Sequence, residues 1–188
     1  MKIGVLALQG DYQKHSQILS QLGLTPLLLR YPQQLQEVSG LIIPGGESTT
    51  MRKLIDANDF RQPLLAFARR FPILGTCAGL IMMSHLLDDD PRVNPLGIID
   101  VTVTRNAYGR QLDSFLDELE VNIDGKKHTI AASFIRAPII NVVGSDVEVL
   151  AHYHGEPVAV RHGRHVGLTF HPELNDVTLF HQLTFGSY

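Results

Sequence analysis

The only cysteine of the chain, Cys77, lies between two glycines in the segment Gly-Thr-Cys-Ala-Gly (residues 75–79). An apolar run precedes it and an apolar-periodic segment follows it, which predicts a buried strand, a tight bend and a helix. The N-terminus of such a helix directs free N–H groups at the sulfur and favours the nucleophilic thiolate. A lone cysteine is also often a small buried hydrophobe. The pattern alone leaves both interpretations open.

A histidine and a glutamate that could activate this thiol lie near the C-terminus, in Phe-His-Pro-Glu (residues 170–173). A thiol that attacks a carbonyl group needs a base, and that base needs an orienting partner. In an extended segment residues i and i+2 point the same way, so we predict that His171 and Glu173 lie side by side. The alternative is a surface turn that carries two solvated side chains.

A glycine-rich segment, Pro-Gly-Gly-Glu-Ser-Thr-Thr (residues 44–50), follows a short apolar run. Backbone N–H groups of such a turn can stabilise negative charge on a carbonyl oxygen during acyl transfer. We predict an oxyanion hole formed by the N–H groups of Gly46 and Ala78. The alternative is a plain turn in which Ser48 or Thr49 caps the next helix.

Metal binding is disfavoured, although the chain has nine histidines. Two close pairs occur, His152 with His154 and His162 with His165, but a single cysteine excludes a multi-cysteine zinc site. Alternation along half-exposed strands explains these pairs equally well. The aspartate run at 88–90 is typical of a solvated loop rather than a cation site. We therefore predict no metal and no cofactor.

The elements that must position these groups are short apolar strands alternating with helices. We predict strands at 2–8, 25–29, 41–43 and 73–74, and helices ending near 22, beginning near 48, spanning about 59–70, and following Cys77. Asp59 and Gln62 form a capping pattern for the third of these helices. This order favours an α/β fold with a mostly parallel sheet between helices, whose strand carboxyl ends gather the reactive groups.

The second half of the chain is richer in strands. We predict strands at 98–104, 129–135, 139–143, 147–151, 158–162 and 166–170, a polar loop at 86–95, and a final helix at about 175–183. The segment 112–121 has apolar spacing that suits a helix, while its place among strands favours a strand. We predict a strand there.

Composition places the chain among ordinary globular proteins. Its 188 residues are 44% hydrophobic and 19% charged, with a net charge of −3, which offers no electrostatic footprint for nucleic acid. No segment approaches the roughly 20 apolar residues that span a bilayer. A single free cysteine suits a reducing compartment. We expect one domain over residues 1–188, located in the cytoplasm.

Six segments together resemble the glutaminase subunits of pyridoxal 5′-phosphate synthases, a family of class I (triad) glutamine amidotransferases. They are Gly-Val-Leu-Ala-Leu-Gln-Gly (4–10), Pro-Gly-Gly-Glu-Ser-Thr-Thr-Met (44–51), Gly-Thr-Cys-Ala-Gly-Leu-Ile (75–81), Arg-Asn-Ala-Tyr-Gly-Arg-Gln (105–111), Phe-Ile-Arg-Ala-Pro (134–138) and Phe-His-Pro-Glu-Leu (170–174). The resemblance covers nearly the whole chain. The cysteine and histidine segments alone would indicate only the wider class.

The resemblance implies hydrolysis of L-glutamine to glutamate and ammonia, which passes to a separate synthase subunit. It implies that Cys77 is the nucleophile, His171 the general base and acid, and Glu173 its orienting partner. By the same resemblance, glutamine is held by Gly46, Glu47, Ser48, Arg105, Ile135 and Arg136. Arginine suits the substrate carboxylate because guanidinium groups make charge-assisted, often bidentate contacts. The family also implies weak activity without the synthase.

Two alternatives remain open at the level of sequence. The chain could be a glutaminase serving a different synthase, such as the imidazole glycerol phosphate system, which shares the triad. It could also be a non-catalytic module that keeps the fold and only docks onto a partner.

Overall fold

Strands and helices alternate through the first half of the chain, as the apolar runs predict. The computed structural model describes residues 1–88, 94–105 and 114–186. The first elements are β1 (Lys2–Leu6), α1 (Tyr12–Gln21), β2 (Thr25–Leu29), a 3₁₀ helix (Pro32–Glu37), β3 (Leu41–Ile43), α2 (Ser48–Ala57), α3 (Arg61–Ala68), β4 (Ile73–Thr76) and α4 (Ala78–Met83).

The second half consists mainly of strands, also as predicted. Its elements are β5 (Ser84–Leu87), β6 (Ile99–Thr104), β7 (Ser114–Ile123), β8 (Lys126–Ile135), β9 (Ile139–Val143), β10 (Val147–Tyr153), β11 (Glu156–His162), β12 (His165–Leu168), a 3₁₀ helix (Pro172–Asn175) and α5 (Leu179–Phe185). No helix among the described residues is long and apolar enough to cross a bilayer.

The central sheet has seven strands in the order β10-β11-β12-β4-β3-β1-β2. The pairings from β12 to β2 are all parallel, whereas β11 pairs antiparallel with β12 and with β10. Strand β12 therefore returns from the second half of the chain to lie directly beside β4. Because these neighbours are parallel, the residues that follow both strands meet at the same edge of the sheet.

Both faces of the central sheet are buried, which is why its strands read as continuous apolar runs. On one face, Ile43 packs in a core with Ile55 of α2 and Leu64 of α3. On the other, Ile42 packs in a core with Leu19 of α1 and residues of α5. The hairpin of β7 and β8 joins this second core through buried side chains such as Phe134. The predicted α/β class is confirmed.

Several predicted boundaries are wrong. A polar loop is expected at 86–95, but its first two residues belong to strand β5, which pairs with β6. Residues 89–93 of that loop lie outside the described part of the chain. The final helix expected at 175–183 is instead a 3₁₀ turn followed by α5. The strand expected at 112–121 is confirmed from Ser114 onward as β7, while 112 and 113 lie outside the described residues.

The residues predicted to cap the N-termini of helices α2 and α3 are also wrong. Glu47, rather than Ser48 or Thr49, caps α2, because its carboxylate accepts hydrogen bonds from the backbone of the first turn. The capping pattern at Asp59 is not used, since α3 begins at Arg61 with no side-chain cap. Polar residues near a helix start compete for the cap, and here the longer side chain of Glu47 reaches two N–H groups of the first turn.

Candidate active site

Cys77 sits at the sharp turn between β4 and α4 that its sequence predicts. Its backbone has φ 48° and ψ −105°, a conformation that non-glycine residues rarely adopt. The turn is fixed because the Cys77 N–H donates to the carbonyl oxygen of Leu168, at the end of β12, over 2.8 Å. Strain at a nucleophile held by its surroundings is a common feature of catalytic sites.

The glycine two residues after Cys77 is required by close packing. A Cβ added at Gly79 would overlap the carbonyl oxygen of Ile43 in β3. Any larger residue would push α4 away from the sheet and move Cys77 with it. The first turn of α4 therefore approaches the carboxyl end of β3, where the Gly45-Gly46 segment begins.

His171 and Glu173 are paired, but not in the way the sequence predicted. Nδ1 of His171 lies 2.7 Å from Oε1 of Glu173, and the two residues are 4% and 0% exposed. The segment is a 3₁₀ turn that begins at Pro172, not an extended strand, and the turn brings the side chains together. Burial excludes the alternative of a solvated surface turn.

The environment of His171 favours its protonated form. Burial alone would lower the pKa of this imidazole, but hydrogen bonds with Cys77 and Glu173, and their charges, raise it to about 10. Burial has the opposite effect on a carboxyl group and would raise the pKa of Glu173, but neighbouring His15 and His171 hold that pKa below its usual range. The site therefore favours a protonated imidazole beside Cys77, with an ionised carboxylate behind it.

A backbone contact to β8 fixes the position of this pair. The His171 N–H donates to the carbonyl oxygen of Ser133 over 2.9 Å, in an isolated bridge between the two segments. Oγ of Ser133 also donates to Oδ1 of Asn175, 2.6 Å away. The hairpin therefore contributes directly to the geometry of the site.

The glycine-rich turn contributes a helix cap and a glycine with a positive φ. Glu47 accepts hydrogen bonds from the N–H groups of Thr49 (2.9 Å) and Thr50 (2.6 Å). Although burial would raise the pKa of Glu47, these hydrogen bonds lower it to about 2. Gly46 has φ 146°, and a Cβ there would collide with the side chain of Gln9. That side chain accepts the Glu47 N–H over 3.1 Å.

A cleft of about 430 Å³ brings most of the predicted site residues together. Its lining consists of Asp11, Gly46, Glu47, Ser48, Cys77, Ile81, Arg105, Ile135, Arg136 and His171. Of the predicted site residues, Glu173 lies behind His171, and Ala78 is the first residue of α4, so its N–H has no partner within the helix. A small polar amino acid fits a cleft of this size and composition.

The two predicted arginines are held from different elements. Nη1 of Arg105, at the end of β6, donates to Oγ1 of Thr49 over 2.9 Å. Arg136 follows β8 in a left-handed backbone conformation with φ 45° and is exposed. Next to it, the carbonyl oxygen of Ile135 accepts a contact from Sγ of Cys77 at 3.8 Å. The remainder of the arginine segment, 106–111, lies outside the described residues.

Sequence reasoning missed three residues around this site. Gln9 and Asp11 follow β1, whose carboxyl end lies at the same edge of the sheet, and Asp11 lines the cleft. His15, one helical turn after Asp11, is fully buried with Nε2 3.5 Å from Oε2 of Glu173. The signal that could have found them is the polar segment directly after the first strand.

One group of possible metal ligands lies in the described part of the chain. The ligand atoms of Asp11, His171 and Glu173 are all within 4.8 Å of one another. His171 and Glu173, however, already bind each other at 2.7 Å, which favours a base with its orienting carboxylate over an ion site.

Comparison with known proteins agrees with this geometry. A family model, the SNO glutamine amidotransferase family, matches residues 5–185. A protein of Shouchella clausii named pyridoxal 5′-phosphate synthase subunit PdxT is 48% identical over 97% of this chain and 92% of its own length. A protein of the same name from Mycobacteroides abscessus is 47% identical over 96% of this chain and 94% of its own.

Solved structures show the same relationship. A crystal structure of a glutamine amidotransferase superposes with a TM-score of 0.90 at 38% identity, covering 96% of each chain. A putative GMP synthase subunit from Thermoplasma acidophilum, 17% identical over 98% of this chain and 92% of its own, has a TM-score of 0.68 and shares the fold. The family model matches nearly the whole length of the chain, and the structure has the sharp turn at Cys77 and the paired histidine and glutamate; this chain belongs to the SNO glutamine amidotransferase family.

Proposed function

We propose that this chain is the glutaminase subunit of a pyridoxal 5′-phosphate synthase. It hydrolyses L-glutamine to L-glutamate and ammonia, and it delivers the ammonia to a synthase subunit in vitamin B6 biosynthesis. The observation that carries the proposal is the placement of Cys77, His171 and Glu173 at one edge of the sheet beside a cleft with two arginines. The names of its relatives, pyridoxal 5′-phosphate synthase subunits, indicate which synthase receives the ammonia.

The first half of the reaction forms a thioester. The Cys77 thiolate attacks the carboxamide carbon of glutamine, and the carbonyl electrons move to the oxygen. The N–H groups of Gly46 and Ala78 stabilise that oxyanion. His171 then donates its proton to the amide nitrogen, the carbon–nitrogen bond breaks, and ammonia leaves.

The second half releases glutamate. His171, now neutral, takes a proton from water as that water attacks the glutamyl thioester. The carbon–sulfur bond breaks, glutamate leaves, and the Cys77 thiolate and protonated His171 are restored. Glu173 orients the imidazole throughout, because its oxygen is the hydrogen-bond acceptor for Nδ1.

Substrate binding falls to the rest of the cleft. Arg105 and Arg136 are proposed to bind the α-carboxylate, since guanidinium groups form paired hydrogen bonds with carboxylates. Glu47, Ser48 and Ile135 complete the binding surface around the amino acid. Glycine at position 46 leaves its peptide free to reorient, which suits a site that becomes fully active when the synthase binds.

We propose that residues 1–188 form one glutaminase domain, because both faces of the central sheet are covered by elements from each half of the chain. We propose a cytoplasmic location, because a single free cysteine suits a reducing environment.

The deciding experiment measures glutamate release from glutamine with and without the synthase subunit. We expect wild-type turnover to rise when the synthase is added, and Cys77→Ala to lose at least about a thousandfold in kcat. Full glutamine hydrolysis by Cys77→Ala would overturn the mechanism. Equal turnover with and without the synthase would overturn the coupling between the subunits.

Two other outcomes would change the assignment. Co-purification with a different ammonia acceptor would make the chain a glutaminase of another synthase. If Cys77 resisted alkylation by a glutamine-like electrophile in the presence of the synthase, the chain would be a docking module that kept the fold without the activity.

A further inference from the structure

A buried histidine, His15, lies directly behind the candidate triad. It is on α1, it is 0% exposed, and its Nε2 is 3.5 Å from Oε2 of Glu173. The same nitrogen is 3.3 Å from Oγ1 of Thr76, the residue before the nucleophile. On the other side of the ring, Nδ1 of His15 is 2.9 Å from Nε2 of His181 in α5. His15 therefore connects Glu173 with two further elements of the fold.

The carboxylate of Glu173 needs such a neighbour. Its Oε1 accepts the hydrogen bond from His171, but its Oε2 is buried and has no hydrogen-bond partner at ordinary distance within the described ranges. A buried carboxylate oxygen without a donor is costly, particularly when the group stays ionised. Nε2 of His15 approaches this oxygen at 3.5 Å, a separation that can shorten in a reacting complex.

The charges that face His15 indicate which nitrogen carries its proton. Burial lowers its pKa, the carboxylates of Glu173 and Asp11 oppose that effect, and His171 adds to it. Burial and His15 also lower the pKa of His181, against the opposing effect of the Val177 backbone, so both rings are neutral and each carries a single N–H. A lone pair on Nε2 would repel the Glu173 carboxylate. The favourable tautomer of His15 has N–H at Nε2 and accepts from His181 at Nδ1.

We propose that His15 is a positioning residue for glutamine hydrolysis, whose Nε2–H holds the second oxygen of Glu173 so that the first oxygen orients His171. The inference rests on the proposed function, because it assigns a role within the same triad. His181 fixes the His15 ring from behind, and Thr76 shares the Nε2–H. Partners of this kind, which orient the groups that touch substrate, contribute strongly to activity in other sites.

Two substitutions of His15, by glutamine and by the shorter asparagine, distinguish a hydrogen bond to Glu173 from a general effect on packing. The amide nitrogen of His15→Gln can occupy the place of Nε2 and donate to Glu173. The amide of His15→Asn is one methylene shorter and reaches only the position of Nδ1. We expect His15→Asn to lose about tenfold or more in kcat with the synthase present, and His15→Gln to retain kcat within roughly threefold. KM should change little in either variant, because His15 does not line the cleft.

His165 provides a matched control. It is a partly buried histidine at the start of β12, at the opposite end of that strand from the site, and burial lowers its pKa to about 4. His165→Asn should leave kcat and KM unchanged. All variants are compared for folding by circular dichroism and thermal unfolding.

A second readout keeps this inference separate from the proposed function. The rate of Cys77 alkylation by iodoacetamide at neutral pH reports the thiolate without any turnover of glutamine. Alkylation of Cys77 should be slower in His15→Asn than in the wild type, and it should keep nearly the wild-type rate in His15→Gln. If the wild type failed to hydrolyse glutamine while this pattern held, the proposed function would fail, whereas the support of Glu173 by His15 would stand. Equal behaviour of the two variants in both assays, whether active, slow or unfolded, would overturn the inference.

Discussion

Nδ1 of His171 lies 2.7 Å from Oε1 of Glu173, with both side chains buried and a single proline between them in the chain. Removing the charge of this carboxylate tests its role directly. Glu173→Gln preserves the side-chain shape, but an amide can present its N–H₂ to the imidazole and favour the wrong tautomer. We expect kcat to fall by about 10²- to 10⁴-fold.

The same variant should alter the pH dependence of the reaction. In the wild type the pKa of His171 is raised to about 10 by Cys77 and Glu173 against the effect of burial. Loss of the carboxylate lowers that pKa, so the alkaline limb of the kcat/KM profile should move to lower pH. Glu156→Gln, at the exposed first residue of β11, is the control and should leave both kcat and the profile unchanged. An unchanged alkaline limb in Glu173→Gln would contradict the assignment.

Stability should also depend on pH through His171. Its folded pKa of about 10 lies above its usual value of 6.5, so the interactions that raise it contribute stability fully below pH 6.5. That contribution is lost as pH rises from 6.5 through about 10. We expect the free energy of unfolding to decline over this range by a few kcal/mol, measured by urea denaturation at several pH values. In His171→Gln the decline should be clearly smaller, and equal slopes in the two proteins would refute the prediction.

Loss of the Arg136 charge should raise KM for glutamine while leaving kcat nearly unchanged. Arg136→Gln keeps a polar side chain but removes the charge that would bind the glutamine carboxylate. Since a hydrogen bond to a charged group contributes roughly 1.5–3 kcal/mol, KM should rise about 10- to 100-fold. kcat should stay within roughly threefold, as expected for binding that is equal in ground and transition states. Arg164→Gln, in the exposed turn before β12, should leave KM unchanged, and a fall in kcat alone for Arg136→Gln would assign that arginine a different role.

The nucleophile turn should tolerate no side chain at position 79. A Cβ there would overlap the backbone carbonyl of Ile43, which cannot move without disturbing β3. We expect Gly79→Ala to lower the free energy of unfolding by about 1–3 kcal/mol and to lower Cys77 reactivity toward iodoacetamide. Gly163→Asn is the control: its backbone has φ 57° with open space around it, and asparagine adopts such conformations readily. Its stability should change by no more than about 0.5 kcal/mol.

The residues proposed to perform the chemistry were largely visible in the sequence. Cys77 between glycines, the turn at Gly46 and the His171–Glu173 spacing each have a local pattern tied to a chemical need. Errors concentrated where several local solutions have similar energies. Glu47 took the cap that Ser48 or Thr49 could have filled, because its longer side chain reaches two N–H groups of the first turn.

The pairing of His171 and Glu173 was predicted for a reason that the structure corrects. An extended strand would place the two side chains on one face, but the observed 3₁₀ turn brings them together by curvature instead. Local spacing limits which residues can meet, whereas the backbone conformation that joins them depends on the bridge to Ser133 in the hairpin.

By itself the sequence determined the α/β class, the strand–turn–helix at Cys77 and the set of polar residues that end the strands, because these follow from apolar periodicity and glycine spacing. Only the tertiary structure decided that β12 lies beside β4 and so brings His171 to Cys77. It also decided that α1 and α5 place His15 and His181 behind Glu173. Such contacts arise from packing between elements far apart in the chain, and no local pattern of residues encodes them.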